Sequence, residues 1–153
     1  MIRWLGLAVT ALAATLLFPG SSAPSPALKG PGIIRITSRE TLFIHVDIVP
    51  PGPSPGDMEI SRELLYNTRI RPKPIGHGQL ICTSTGDNFH NCNGTFVLPA
   101  GKLTVSGLLL YRGLYDLAVT GGTGLYSNVK GTLTVTRIRQ NPTGDVLFFR
   151  LVV

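Results

Sequence analysis

The sequence predicts an all-β protein and, within that class, an eight-stranded antiparallel barrel. Three observations predict it. Beyond residue 30 no stretch keeps the spacing of an amphipathic helix. Turn-forming Gly, Pro, Asn and Asp recur at short intervals, and Val, Ile, Leu, Thr and Phe fill those intervals. Some eight strands in about 120 residues suit a small closed barrel, which leaves no exposed edge. Two stacked sheets are the alternative that the pattern alone leaves open.

The chain of 153 residues opens on a segment that is not barrel-like. Met1-Ile2-Arg3 is short and basic, Trp4 to Phe18 is uncharged and mostly apolar, and Pro19 to Ala27 is small, polar and proline-rich. That is the order of regions in a secretory signal. Residues 1–27 are therefore expected to be signal peptide and linker, and residues 28–153 the barrel domain, secreted or held at the cell envelope. Cleavage fits after Ala23 or after Ala27. The apolar run is short for a membrane-spanning helix, so a retained anchor is the lesser alternative.

The strands then follow in order as Ile33–Thr37, Thr41–Val49, Met58–Asn67, Pro74–Thr83, Phe89–Leu98, Lys102–Leu109, Leu114–Thr120, Val129–Arg137 and Val146–Val152. The first reads as a short extension of the second. Four prolines in Pro50-Pro51-Gly52-Pro53-Ser54-Pro55-Gly56-Asp57 make a stiff connector with few backbone donors. Alternation sets Gly76, Gly78, Leu80 and Cys82 on one face, with Ile75, His77, Gln79, Ile81 and Thr83 on the other. Apolar residues thus occupy both faces of several strands. That predicts a filled or cavity-bearing interior and a second covered surface, such as a subunit interface.

Cys82 and Cys92 are the only cysteines, and they flank the turn Thr85-Gly86-Asp87-Asn88. Antiparallel pairing about Asp87 sets them opposite each other on one face. The expected Cβ spacing, about 4.5–5.5 Å, is adjustable by local twist to a disulfide. An oxidising, exported setting permits the bond. His90 shares their face, but no fourth ligand accompanies the three, so no metal site is expected. With 14 basic and 8 acidic side chains the net charge is +6. The basic residues are scattered among apolar positions with no nucleic-acid module around them, so no nucleic-acid partner is expected. A solvated cationic face, with weak attraction to anionic envelope surfaces, is the reading that remains.

Candidate chemistry is sparse. Glu63 lies well inside a strand: buried, it would be a proton shuttle of raised pKa; exposed, a surface carboxylate beside Arg62. Tyr66 is either a hydrogen-bond donor to a bound carbonyl or a packing residue. His77, between two glycines, is an acid or base with room around it, or a solvated strand histidine. Asp47, Tyr111, Tyr115 and Asp116 lie near strand ends and could rim a mouth. In Gly121-Gly122-Thr123-Gly124, consecutive glycines permit positive φ and a close turn. No lysine at the right offset and no following helix accompany them, so a phosphate loop is not expected.

The segment Ala118-Val119-Thr120-Gly121-Gly122-Thr123-Gly124-Leu125-Tyr126, with Val129-Lys130-Gly131, resembles the signature of the allene oxide cyclase and dirigent barrel superfamily. Leu98-Pro99-Ala100-Gly101-Lys102-Leu103-Thr104-Val105-Ser106-Gly107 resembles the strand pair before it. Gly56-Asp57, Leu65-Tyr66 and Gly76-His77-Gly78-Gln79 resemble its earlier segments. The resemblance covers about residues 41 to 153. It implies an eight-stranded antiparallel barrel of allene oxide cyclase/dirigent type, with an apolar cavity and a dimeric or trimeric assembly. It also implies a cofactor-independent cyclase, isomerase or stereocontrolling activity on a hydrophobic small molecule. The alternative is a non-catalytic barrel that binds a small molecule or serves the envelope structurally. The comparable first strand, Ile34-Arg35-Ile36-Thr37, carries no carboxylate, which argues against allene oxide cyclase activity itself. Phe43-Ile44-His45-Val46-Asp47 keeps the residue types of a dirigent signature at another spacing and makes Asp47 a substrate-binding candidate. Of the arginine-rich segment after the corner, only Lys130 keeps a charge.

Overall fold

A computed structural model of the protein describes residues 32–48, 51–67, 73–110 and 113–152. The expected signal segment and Tyr111 lie outside the described residues. Eight strands form one closed antiparallel barrel in sequence order: β1 Ile33–Val46, β2 Met58–Tyr66, β3 Gly76–Gly86, β4 Phe89–Leu98, β5 Gly101–Leu110, β6 Leu114–Gly122, β7 Lys130–Gln140 and β8 Thr143–Val152. β8 pairs with β1, Ile34 opposite Phe149 and Ser38 opposite Asp145, so the sheet has no free edge. The stacked-sheet alternative is thereby removed.

β1 differs from the sequence reading. Ser38-Arg39-Glu40, which the sequence reading leaves between two strands, is continuous strand. The irregularity is a bulge: Glu40 opposes Glu63, Leu42 opposes Arg62, and Thr41 is the extra residue. An extra residue reverses the in–out alternation beyond it. Glu40 and Phe43 can therefore both line the interior cavity.

Inward residues of the strands fill one half of the barrel. Leu65, Phe96, Leu103, Leu117, Leu133, Leu147 and Phe149 are fully buried there. Phe96 and Phe149 meet edge to face, ring centroids 5.4 Å apart. Each such side chain contributes about 1.5–3 kcal/mol by leaving water. The pairing of Cys82 with Cys92 is as the turn predicted, and a disulfide joins them with Cα atoms 4.0 Å apart.

The glycine corner closes that packed end. Gly121 and Gly122 finish β6, and a single 3₁₀ turn, Gly124–Tyr126, follows Thr123. The Leu125 N–H donates to the Ala100 carbonyl at 2.9 Å, and the Thr123 N–H to the Lys102 carbonyl at 2.9 Å. Backbone therefore lies on backbone. A Cβ on Gly124, at φ +65°, would run into the Ala100 carbonyl oxygen. The close approach carries Tyr126 and Val129 into the floor of the barrel, where both are buried.

The opposite end is shaped by the proline-rich connector between β1 and β2. Buried Asp57 accepts hydrogen bonds from the Ile48 N–H at 2.9 Å, the Ser54 N–H at 2.7 Å and the Ser54 hydroxyl at 3.0 Å. Those bonds hold its carboxyl below the usual range, and they pin the connector back beside the mouth.

Candidate functional site

At that end the barrel encloses a cavity of about 340 Å³. Its lining is more polar than the apolar pocket the resemblance implied: Glu40, Glu59, Ser61, Glu63, Tyr115, Arg137, Thr143 and Asp145, with Phe43, Leu80, Cys82 and Leu147 completing the wall.

Strand register explains why these side chains meet. Glu40 and Glu63 are direct partners across β1 and β2. Ser38 opposes Asp145 across β1 and β8, and Arg137 opposes Asp145 across β7 and β8. Arg137 donates from Nε to one Asp145 carboxylate oxygen at 3.0 Å, and from Nη2 to the other at 3.5 Å. This two-pronged pair fixes both side chains, and Asp145 raises the Arg137 pKa further.

Glu63 lacks such a partner. It is hydrogen-bonded to the buried hydroxyl of Ser38. Burial pushes its carboxyl from 4.5 up to about 7; the charges of Asp145 and Glu40 add to the rise, while Ser38 and Arg137 oppose it. Glu40 is also raised, chiefly by burial, with Arg137 acting against that and Asp145 with it. Burial and then the charges of Asp145 and Glu63 raise the Tyr115 phenol, which therefore stays protonated at neutral pH. No hydrogen bond of its hydroxyl is made to any of the described residues. The cavity thus offers a carboxyl that is half protonated near neutrality, a phenolic donor, and a fixed guanidinium–carboxylate pair. Those are the parts of an acid–base site. Among the described residues no group of three His, Cys, Asp or Glu side chains is placed to hold a metal ion.

Of the residues singled out from sequence, Glu63 and Tyr115 enter the cavity. His77 points outward from β3 and is exposed, because the alternation that turns Gly78 inward turns His77 away. Tyr66 is buried on the outer side of β2, with the Arg39 guanidinium 5.8 Å from its ring centroid. Asp47 is exposed and accepts the Gly52 N–H at 3.1 Å, a bond within the connector. Asp116 is exposed on the outside of β6 and accepts from the Thr134 hydroxyl. Lys130 is exposed at the start of β7, at the floor end. His90, two residues before Cys92 on β4, lies beside the mouth. Ser38, Glu40, Glu59, Arg137 and Asp145 were not singled out. The alternation in step with Glu63 brings Glu59 and Ser61 to the same face and could have found Glu59. Arg137 and Asp145 were read as strand ends or turn.

No family model and no curated protein matches the chain. Solved structures do. A pyocyanin demethylase superposes with a TM-score of 0.66 at 27% identity, covering 78% of this chain and 99% of that one. A pterocarpan synthase dirigent protein gives 0.59 at 13% identity, over 78% of this chain and 81% of that one. The barrel is of the dirigent and cyclase type. A Diels–Alderase from Streptomyces koyangensis shares this dirigent/cyclase-type barrel, with a TM-score of 0.62 at 15% identity, over 78% of this chain and 64% of that one. β1 runs on past Ile34–Thr37 through Glu40, and that carboxylate lines the cavity.

Proposed function

We propose that this protein is a cofactor-independent acid–base catalyst, an isomerase or cyclase that also controls stereochemistry, acting on a hydrophobic small molecule. The observation that carries the reading is Glu63: a carboxyl with a pKa of about 7, in the wall of a cavity able to take a ligand of two or three rings. Glu63 gives and takes the proton. Tyr115 donates a hydrogen bond to an oxygen or nitrogen of the substrate. The Arg137–Asp145 pair holds the field, and the packed floor fixes how deep the molecule sits.

The similarity to a pyocyanin demethylase spans nearly all of that chain, which supports flat aromatic heterocycles as the first substrates to try. The basic, apolar and proline-rich order of residues 1–27 supports action outside the cytoplasm. Exposed Ile81 and Leu108 on the outer face of β3 and β5 support self-association as a dimer or trimer. The test is turnover of pyocyanin and related fused-ring heterocycles by purified protein, followed by mass spectrometry and proton exchange from heavy water. Glu63→Gln should lower turnover by about 10²–10⁴-fold, the usual contribution of a positioned acid or base. Turnover unchanged in Glu63→Gln, or a ligand bound and returned unaltered by the wild type, would leave the barrel a binding protein.

A further inference from the structure

The charge inside the barrel runs opposite to that of the chain. The sequence has 14 basic and 8 acidic residues. Half of those acids, Glu40, Glu59, Glu63 and Asp145, line the mouth cavity, and among the described residues a single basic side chain, Arg137, joins them. The Arg137 guanidinium is engaged in its two-pronged bond to Asp145. Glu63 has a neutral partner, the Ser38 hydroxyl. Glu59 has the His45 imidazole 3.9 Å away, on the connector side. Carboxylates in a low-dielectric recess repel one another and are costly to ionise unless positive charge arrives. An apolar wall does not account for the placement, because neutral side chains would fill the space without that cost. The aromatic rings of Phe43 and Tyr115 in the same wall favour a flat cation over a compact one.

We propose that the substrate is a flat heteroaromatic cation, its positive charge held between Glu63 and Glu40 and its rings against Phe43 and Tyr115. The inference rests on the catalytic reading of this cavity and specifies the chemical class that it accepts. Bound there, the cation adds positive charge beyond that of Arg137, whose guanidinium is committed to Asp145, and it favours the ionised form of Glu63 that can act as base. The groups facing Glu63 are Ser38 and Glu40 from β1, Tyr115 from β6, Arg137 from β7 and Asp145 from β8; Gly78, its partner on β3, brings no charge.

The test compares two isosteric fluorescent probes, permanently charged N-methylacridinium and acridine, in equilibrium binding to the full protein. At about pH 8 Glu63 is ionised and acridine is neutral. N-methylacridinium should then bind at least about tenfold more tightly. Its affinity should rise about tenfold from pH 6 to pH 8, following ionisation of a group with a pKa of about 7. Glu63→Gln should abolish that rise. Glu59→Gln, at the wider part of the mouth, should weaken the cation and leave acridine unchanged, a second readout if the Glu63 variant folds poorly. Equal affinity for the two probes overturns the proposal, as does binding of neither or a flat pH profile in the wild type. Failure of the catalytic reading is seen separately: the cation binds with the predicted preference, and no substrate turns over.

Discussion

Glu63→Gln should stabilise the barrel at neutral and alkaline pH while lowering the proposed turnover. The wild-type carboxyl titrates at about 7 in the folded protein against 4.5 for an ordinary glutamate. Its folded pKa is raised, so below the unfolded value both states are protonated and the group costs nothing. As pH rises from about 4.5 the unfolded chain ionises first, and stability is lost until the folded carboxyl ionises too, near 7. Raising the carboxyl from 4.5 to about 7 gives a penalty of about 3 kcal/mol above that window. Glutamine keeps the shape and the oxygen that accepts from Ser38, but it does not titrate. In urea unfolding with the disulfide intact, the two proteins should differ at about pH 8 by about 3 kcal/mol more than at about pH 4. That is a relative displacement of roughly 2 M in the midpoint at the slope of a domain this size. A gap between variant and wild type that is the same at both pH values would refute the account, because Glu63 would then carry no raised pKa.

The connector, the floor and the hairpin give three further predictions. Asp57→Asn should lower the melting temperature at neutral pH, and the deficit should close as acid protonates the wild-type carboxyl, since its folded pKa is depressed by the Ile48 and Ser54 bonds and its contribution is lost as pH falls through that value. Gly124→Ala forces a side chain onto a φ of +65° and against the Ala100 carbonyl; chemical denaturation should show a loss of about 1–3 kcal/mol or more, with near-ultraviolet circular dichroism reporting a loosened floor. Replacing Cys82 and Cys92 together by serine opens a short loop and should cost about 2–3 kcal/mol, read as a lower urea midpoint that reductant does not move further.

The barrel and its disulfide were legible because period-two alternation and turn chemistry are local signals, and β3 and β4 obey both. Half of the site was illegible for the same reason. Glu40 follows Ser38-Arg39, a polar trio that looks like a turn in isolation; in the fold it is mid-strand, paired with Glu63 of β2 and one residue past the end of the β8 ladder at Arg39. The Thr41 bulge then reverses the alternation, so no single period connects Glu40 with Phe43. Asp145 and Arg137 stand at the ends of apolar runs, where a charged residue ordinarily marks solvent. They share the cavity because the β7–β8 hairpin pairs the two and closure of the barrel onto β1 sets Asp145 beside Ser38. His77 failed in the opposite sense: the two glycines that suggested room for it belong to the inward face, so it is directed out.

The division of the barrel along its axis explains how it tolerates this site. Buried carboxylates cost stability, and the Glu63 penalty alone is of the size of the whole hairpin disulfide's contribution. The cost is confined to the mouth, where Arg137 pairs with Asp145. The floor carries the compensating apolar packing of Phe96, Phe149, Leu103 and Tyr126, sealed by the glycine corner. Because every strand crosses both regions, side chains near the floor set the backbone positions of those at the mouth. Leu65 lies two residues beyond Glu63 on β2, and Leu147 two beyond Asp145 on β8. A cavity-forming change such as Phe149→Ala should therefore cost about 3–5 kcal/mol in stability and also slacken the site four residues away from it on β8, at Asp145. If turnover and N-methylacridinium affinity in Phe149→Ala matched wild type at temperatures where the variant is fully folded, the mouth would be positioned by its own polar contacts alone, without the floor.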